Sequence, residues 1–160
     1  MFDNTKGIYA LEIVVTESTN LAIGSLRANK YEGAYLYIGS AHGPGGFQRV
    51  ARHLQIASGA KTGGHWHIDH LLEIGDVQGV WLLPTQQDLE CKLARRLARS
   101  LVQPVEGFGS SDCDCYSHLF SYSDQQASEI VTIMVSFSSI TPVHFDLTSA
   151  ILTRSMKRSG

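Results

Sequence analysis

One predicted helix carries three side chains that are suited to binding phosphate. Residues 47–57 have apolar side chains at helical spacing, and Arg49, Arg52 and His53 cluster on the opposite side. Guanidinium groups pair with phosphate oxygens through two parallel hydrogen bonds, so this face could form a phosphate-binding surface. On this pattern alone, an ordinary solvated helix face is the favoured interpretation.

Glu90 is a carboxylate that the helical pattern places toward the core. Residues 85–101 are predicted to form a helix, and Glu90 lies within its apolar stripe, which includes Leu93, Leu97 and Leu101. A carboxylate on the core side is costly unless it is paired or bound to a metal. The pattern therefore makes Glu90 a candidate functional residue, but the helical angle alone does not favour that role. A favourable interaction with the helix dipole in the first turn is the alternative.

Three tyrosines occur on neighbouring predicted strands. Tyr35 and Tyr37 share one face of their strand because they are two residues apart, and Tyr9 lies on the strand before it. Such aromatic side chains usually pack across strands. A phenol can also orient a water nucleophile, or act as a base where a cation lowers its pKa. On their own, the tyrosines favour packing.

A histidine-rich segment offers a further candidate site. His65, His67 and Asp69 would share one face of a strand and could bind a metal or a phosphate there, whereas a helical turn would scatter them. The segment is predicted to be a short helix or a turn, with Trp66 forming part of a cleft wall. His65 and His67 are taken as candidate substrate-binding residues, together with Arg52 of the cationic helix face.

The cysteines are predicted to be free thiols. Three cysteines cannot all pair with one another, and Cys113 and Cys115 lie close to His118. These residues could hold zinc, but structural zinc sites normally need a fourth ligand and a wider spacing. The sequence favours instead a loop that folds back on the preceding helix, with Asp112 capping it or hydrogen-bonding the backbone.

The elements that would position these groups predict an α+β fold. The short connections favour a small, mostly antiparallel three-stranded sheet flanked by helices. Residues 1–122 would form the domain, and residues 123–160 an extension packed on it. The predicted strands are 7–16, 33–39, 77–83 and, in the extension, 130–137; the predicted helices are 47–57, 85–101 and 146–157, and 105–118 is a loop.

Length and composition limit the class of protein. A chain of 160 residues with 43% hydrophobic and 18% charged residues suits one globular domain. The net charge of -2 gives no broad field for nucleic acid, so such a partner depends on local charge. No apolar run is long enough to cross a bilayer, and no signal layout begins the chain, which predicts a cytoplasmic protein.

Two tripeptides give the sequence a resemblance to a known superfamily. Gly7-Ile8-Tyr9 and Tyr37-Ile38-Gly39 are the motifs that name the GIY-YIG nucleases, and residues 47–54 resemble the helix that follows them in that superfamily. Glu90 matches its metal-binding glutamate. The chain is most similar to a poorly characterised branch, a domain of unknown function found alone or fused to endonuclease III-type glycosylases. The resemblance covers residues 7 to about 122.

The resemblance implies a metal-dependent endonuclease that acts on DNA in repair or processing. Glu90 would bind Mg²⁺ or Mn²⁺, and Arg49 would neutralise charge that develops on the phosphate. Tyr9 or Tyr37 would orient or deprotonate the attacking water, with His53 as a proton relay. The main alternative is a non-catalytic module that binds nucleic acid or a partner protein, since a fold does not fix a function.

Overall fold

A six-stranded antiparallel sheet runs through the part of the chain that the computed structural model describes, residues 2–100, 103–111 and 113–148. Neighbouring strands follow the order β4-β5-β2-β1-β3-β6. The strands are β1 (Gly7–Leu21), β2 (Asn29–Ser40), β3 (Asp76–Pro84), β4 (Gln103–Pro104), β5 (Leu119–Tyr122) and β6 (Val143–Asp146). The helices are α1 (Gln48–Ala57), α2 (His67–Ile74), α3 (Glu90–Ala98) and α4 (Ala127–Ser136).

The fold is α+β, but the predicted three-stranded sheet is wrong. The three long strands β2, β1 and β3 lie at the centre of the sheet, and β5, β4 and β6 extend it on both sides. The added strands have only two to four residues each. A strand this short shows no usable alternation of polar and apolar residues, so the sequence pattern did not reveal it.

Helices cover both faces of the sheet, which explains why β1 is almost continuously apolar. Tyr9, Leu11 and Ile13 pack in one hydrophobic cluster with residues of α1 and α2. Ile8 and Ala10, which alternate with them, pack in a second cluster with residues of α3 and α4. A strand buried on both faces needs apolar side chains at both alternating sets of positions.

The predicted strand at residues 130–137 is helical instead. Ile130, Ile133 and Met134 of α4 are buried, while Val131 and Val135 are 47% and 57% exposed. This spacing is that of one helix face. The β-branched composition suggested a strand, but packing against α3 decides the conformation.

Helix α3 begins at Glu90, five residues later than predicted. The hydroxyl of Thr85 accepts a hydrogen bond from the backbone N–H of Gln87 at 3.0 Å, which closes a local turn instead of starting the helix. The predicted helix at 146–157 falls mainly outside the described residues, and Asp146 itself is the last residue of β6. Within the described ranges, every helix is too short or too polar to cross a bilayer.

Candidate active site and thiol cluster

A cleft of about 700 Å³ opens where β1, β2, α1 and the start of α3 meet. The loop 105–118 between β4 and β5 contributes to its wall through Gly109 and Ser111. Polar and apolar atoms both contribute to the lining, with polar atoms in a small excess. The side chains around it include Tyr9, Tyr37, Arg49, His53, His67 and Glu90.

The two tripeptide motifs meet across a pair of strands. Tyr9 of β1 lies directly opposite Gly39 of β2, and Leu11 lies opposite Tyr37. A Cβ atom at residue 39 would overlap the Tyr9 ring, so only glycine leaves room for that ring to lie across β2. The rings of Tyr9 and Tyr37 therefore stand side by side, with centroids 6.4 Å apart.

Tyr9 and His53 form a buried hydrogen-bonded pair. The phenol oxygen of Tyr9 lies 2.7 Å from Nε2 of His53, and each residue is only 1% exposed. Burial raises the pKa of Tyr9 well above its usual value, helped by Tyr37. Burial and the charges of Arg52 and Arg49 lower the pKa of His53 to about 3. Both groups are therefore neutral at physiological pH, and a neutral imidazole nitrogen can accept a hydrogen bond from the phenol O–H.

One polar atom of this pair lacks a partner. Nδ1 of His53 is buried and makes no hydrogen bond within the described part of the chain. A buried polar atom without a partner carries a free-energy cost, and such atoms concentrate where a protein binds or transforms a ligand.

Arg49 is held at the edge of the cleft by a backbone carbonyl group and an aromatic ring of neighbouring residues. Its Nη1 donates a hydrogen bond to the carbonyl oxygen of Ser40 at 2.9 Å. Its guanidinium carbon lies 5.0 Å from the centroid of the Trp66 ring, a cation–π distance. These contacts fix the orientation of the guanidinium. Among the described residues they use one of its five N–H groups, so others can bind an anion in the cleft.

Arg52 is engaged in a different contact. Its two terminal nitrogens each donate to one carboxylate oxygen of Asp69 at 2.9 Å, and its guanidinium lies 4.4 Å from the Trp66 ring centroid. The fully buried Asp69 also accepts hydrogen bonds from the backbone of residues 64–66. Burial alone would raise the pKa of Asp69, but Arg52 and the backbone donors at Trp66 and His65 outweigh it and lower it to about 2.

His67 joins α2 to the loop 105–118. Its Nδ1 accepts a hydrogen bond from the backbone N–H of Gly109 at 3.0 Å, which assigns the ring proton to Nε2 when the imidazole is neutral. Its ring also packs edge-on against Phe108, with centroids 5.6 Å apart. Burial and the neighbouring His70 lower the pKa of His67, so the neutral form that makes this bond is favoured.

Glu90 is the first residue of α3 and is partly buried, with 22% of its side chain exposed. Its Oε1 lies 2.7 Å from Nδ1 of His118. The helix N-terminus adds positive potential at the carboxylate. One carboxylate oxygen thus lies at ion-pair distance from the imidazole, while the side chain still lines the cleft.

Behind Glu90, three thiols and one imidazole converge. Cys91 is the second residue of α3, Cys113 and Cys115 lie in the loop 105–118, and His118 directly precedes β5. All four candidate ligand atoms lie within 4.8 Å of one another. The three cysteines are free thiols. The described residues therefore contain a Cys₃His cluster that could hold a metal ion.

The family described as domain of unknown function DUF123 matches residues 8–139 of the chain. The chain belongs to this family. No curated protein and no solved structure matches it significantly. The DUF123 match spans β1 to the end of α4, so it includes both the cleft and the Cys₃His cluster.

The DUF123 fold brings six of the eight predicted site residues to the cleft lining: Tyr9, Tyr37, Arg49, His53, His67 and Glu90. The other two, Arg52 and His65, lie beside Trp66. Arg52 pairs with Asp69, and the exposed ring of His65 lies 5.2 Å from the Trp66 ring. Asp112, predicted to cap or hydrogen-bond the backbone, falls outside the described residues.

Two residues of the DUF123 domain were not recognised as part of these sites in the sequence. Asp88 lines the cleft close to Glu90, although no motif in the sequence marks it as a site residue. Cys91 supplies the fourth candidate ligand that the sequence pattern lacked, from a helix distant in sequence from the other three. Its position next to Glu90 was the available signal, since neighbouring residues in one helical turn reach the same region.

Proposed function

We propose that this domain is an endonuclease of the GIY-YIG superfamily, which hydrolyses phosphodiester bonds in DNA during repair or processing with Mg²⁺ or Mn²⁺. The observation that carries the proposal is the convergence of five side chains on one cleft from four separate elements. They are Tyr9 from β1, Tyr37 from β2, Arg49 and His53 from α1, and Glu90 from α3. A general structural role would not require these polar groups to face one another.

The donor set at the start of α3 fits a hard divalent cation. Glu90 and Asp88 both line the cleft and offer carboxylate oxygens, and Oε1 of Glu90 is already oriented by His118. Mg²⁺ typically binds through one or two carboxylates together with waters and substrate phosphates. When bound there, the ion would stabilise negative charge on the phosphate and on the leaving oxygen. Glu90 and Asp88 would hold it and direct the phosphate toward Arg49.

Arg49 is placed to stabilise the charge that develops during hydrolysis. The hydrogen bond to Ser40 and the contact with Trp66 hold its guanidinium in a fixed orientation before substrate binds. A preorganised donor costs little reorganisation when charge appears in the transition state. Removal of one such donor typically lowers kcat by about 10²–10³-fold.

Tyr9 and His53 are suited to orient the attacking water. When the phenol O–H donates a hydrogen bond to neutral His53, the phenol oxygen keeps lone pairs that can accept a hydrogen bond from water. Arg49 contributes to the low pKa of His53, so a phosphate that pairs with Arg49 would make His53 a better proton acceptor. Proton transfer through the pair would then be coupled to substrate binding.

The position of Trp66 suits a nucleic-acid substrate. Trp66 is 39% exposed beside the cleft, and the guanidiniums of Arg49 and Arg52 both lie within cation–π distance of its ring. An exposed aromatic ring next to guanidiniums can stack on a base while the cations bind the backbone. This local arrangement counteracts the unfavourable net charge of -2.

Cleavage of a panel of labelled duplex, branched and single-stranded DNA and RNA, with Mg²⁺ and with Mn²⁺, tests the proposal. The wild type is compared with Glu90→Ala and Arg49→Ala. The exposed residues Glu73 and Arg27 provide matched controls, Glu73→Ala and Arg27→Ala. We expect cutting that requires metal, is lost in the two cleft variants and persists in the two controls. Absence of cutting across the panel would overturn the proposal.

A non-catalytic nucleic-acid-binding module is the second candidate. It is favoured by a groove between α3 and α4 that is lined by Lys92, Arg95, Arg96 and Arg99. Four cations on one exposed helix face could bind a phosphate backbone without any chemistry. In that case, Glu90→Ala would retain full affinity for nucleic acid, and replacing the groove cations with alanine would reduce both the affinity and its dependence on salt.

A further inference from the structure

The Cys₃His cluster joins α3 to the loop 105–118. Cys91 belongs to α3, whereas Cys113, Cys115 and His118 come from the end of the loop 105–118 and its junction with β5. The described residues of that loop form turns and bends without a helix or strand. Between described residues, the backbone hydrogen bonds of that loop, such as the one from the N–H of Cys113 to the carbonyl oxygen of Ser110 at 3.3 Å, run within the loop or to neighbouring strands and do not join it to α3. Side-chain contacts therefore bring Cys113 and Cys115 to α3.

The spacing of the ligand atoms fits a tetrahedral zinc ion. With Zn–S bonds of about 2.3 Å and Zn–N bonds of about 2.1 Å, a tetrahedral site separates sulfur from nitrogen by about 3.6 Å. Nε2 of His118 lies 3.4 Å from Sγ of Cys113 and 3.8 Å from Sγ of Cys91. The limit of 4.8 Å on all the separations leaves space for one ion at the centre and no room for a larger cluster.

We propose that Cys91, Cys113, Cys115 and His118 bind one structural zinc ion. Thiolate and imidazole ligands in a tetrahedral arrangement select zinc over the hard cations that prefer oxygen. Four protein ligands complete the coordination shell and leave no open position for substrate, so the site is structural. The ion would fasten the loop 105–118 to α3 beside the cleft.

His118 connects this zinc site to the cleft. Its Nε2 faces the thiols, and its Nδ1 lies 2.7 Å from Oε1 of Glu90. Zinc-bound histidines commonly donate their other ring N–H to a carboxylate, which fixes the tautomer and the ring orientation. Glu90 would thus orient the ring of His118 for zinc as a positioning residue. Zinc would in turn fix His118, and His118 would keep the Glu90 carboxylate at the cleft. This connection rests on the proposed function, whereas zinc binding itself does not.

The metal content of the full-length protein tests the site directly. The wild type, purified with zinc in the growth medium and dialysed, should contain about one zinc per chain by elemental analysis. Replacement of zinc by Co²⁺ should give the strong visible bands of a tetrahedral ion and a thiolate-to-cobalt charge-transfer band. A wild type that holds no zinc and gives no tetrahedral Co²⁺ spectrum would overturn the inference, and this result needs no variant to fold.

Variants identify the ligands. Cys91→Ser and Cys113→Ser should lose zinc, whereas Cys91→His, which replaces one zinc ligand with another, should retain it. His70→Gln, a histidine of α2 outside the cluster, is the matched control and should keep full zinc content. Full zinc content in Cys91→Ser and Cys113→Ser would contradict the assignment.

Glu90 variants test the connection to the cleft. Glu90→Ala should weaken zinc affinity by about 10–100-fold, the usual effect of removing a carboxylate that supports a ligand histidine. Glu73→Ala, an exposed carboxylate on α2, should leave it unchanged. Equal zinc affinity in wild type and Glu90→Ala would refute the connection. Zinc binding without any nuclease activity would contradict the proposed function but not the zinc site. Cleavage by a protein that contains no zinc would contradict the zinc site but not the proposed function.

Discussion

Tyr9 and His53 are two buried titratable groups that are joined by a hydrogen bond, and their pKa values are shifted in opposite directions. Burial raises the pKa of Tyr9 and, with the charges of Arg52 and Arg49, lowers that of His53 to about 3. Neither group ionises near neutral pH. The pair is therefore a fixed hydrogen-bonding unit in the free protein. Under the proposed function, it would become a proton relay when a bound anion changes the field.

The low pKa of His53 predicts how stability depends on pH. Between about pH 6.5 and about pH 3, the unfolded chain binds a proton at residue 53 that the folded chain does not, so stability should fall as pH is lowered. The slope from this residue is at most about 1.4 kcal/mol per pH unit. Urea unfolding at a series of pH values measures it. His53→Gln should reduce the slope, and His65→Gln, which changes an exposed imidazole, should not. Equal slopes in wild type and His53→Gln would contradict the prediction.

Asp69 is predicted to matter more for stability than an exposed acid. Asp69→Asn removes the charge that pairs with Arg52, while the backbone donors of residues 64–66 lose their charged acceptor. Breaking a buried ion pair typically costs about 3–5 kcal/mol, and the partial exposure of Arg52 places this one near the lower end. The free energy of unfolding in urea is the readout.

The matched control for Asp69→Asn is the exposed pair of Lys30 and Glu32, whose side chains are 61% and 56% exposed. Glu32→Gln should change stability by less than about 1 kcal/mol. Similar effects of the two substitutions would mean that the buried position of Asp69 confers no special stability.

At the scale of the elements, hydrophobic periodicity located the long strands and α1 but not α4. The central strands have enough residues for their pattern to be visible, and α1 has one clear apolar face. In α4, β-branched residues occupy both the buried and the exposed face, which hides the helical period. The strands β4, β5 and β6 depend on pairing with distant partners, which no local pattern records.

Alanine substitutions in α4 distinguish the observed helix from the predicted strand. On a strand, Ile133 and Val135 would share one face and have similar effects. In the helix Ile133 is 2% exposed and Val135 is 57% exposed. Ile133→Ala should therefore cost about 2–5 kcal/mol and Val135→Ala no more than about 0.5 kcal/mol, measured by urea unfolding. Equal losses at both positions would favour the strand.

At the scale of the whole molecule, the cleft depends on residues brought together from distant parts of the sequence. Residue types and motif order indicated Tyr9, Tyr37, Arg49, His53 and Glu90 as candidates, and the fold gathers all five around the cleft. Sequence alone could not reveal the pairing of Arg52 with Asp69, because it depends on the packing of α1 against α2. It also could not complete the Cys₃His cluster, whose fourth member comes from α3.

The separation of the two candidate metal sites is also a property of the whole molecule. Oxygen donors at Asp88 and Glu90 line the cleft, whereas sulfur and nitrogen donors gather behind Glu90. Oxygen donors favour hard ions such as Mg²⁺ or Mn²⁺, and sulfur and nitrogen donors favour zinc, so we propose different ions at the two sites. A chelator that removes only weakly held ions should therefore stop cleavage reversibly without changing zinc content. Loss of zinc in parallel with activity would contradict this separation.

Metal-dependent cleavage of DNA, measured together with DNA binding in the same samples, tests the central claim most directly. Wild type and Arg49→Ala are compared on duplex, branched and single-stranded substrates, with Arg27→Ala as the control. We predict cleavage by wild type and by the control in Mg²⁺ or Mn²⁺, and a rate at least about 10²-fold lower in Arg49→Ala with binding retained. Binding by wild type without cleavage of any substrate, or equal cleavage by all three proteins, would contradict a catalytic cleft built around Arg49.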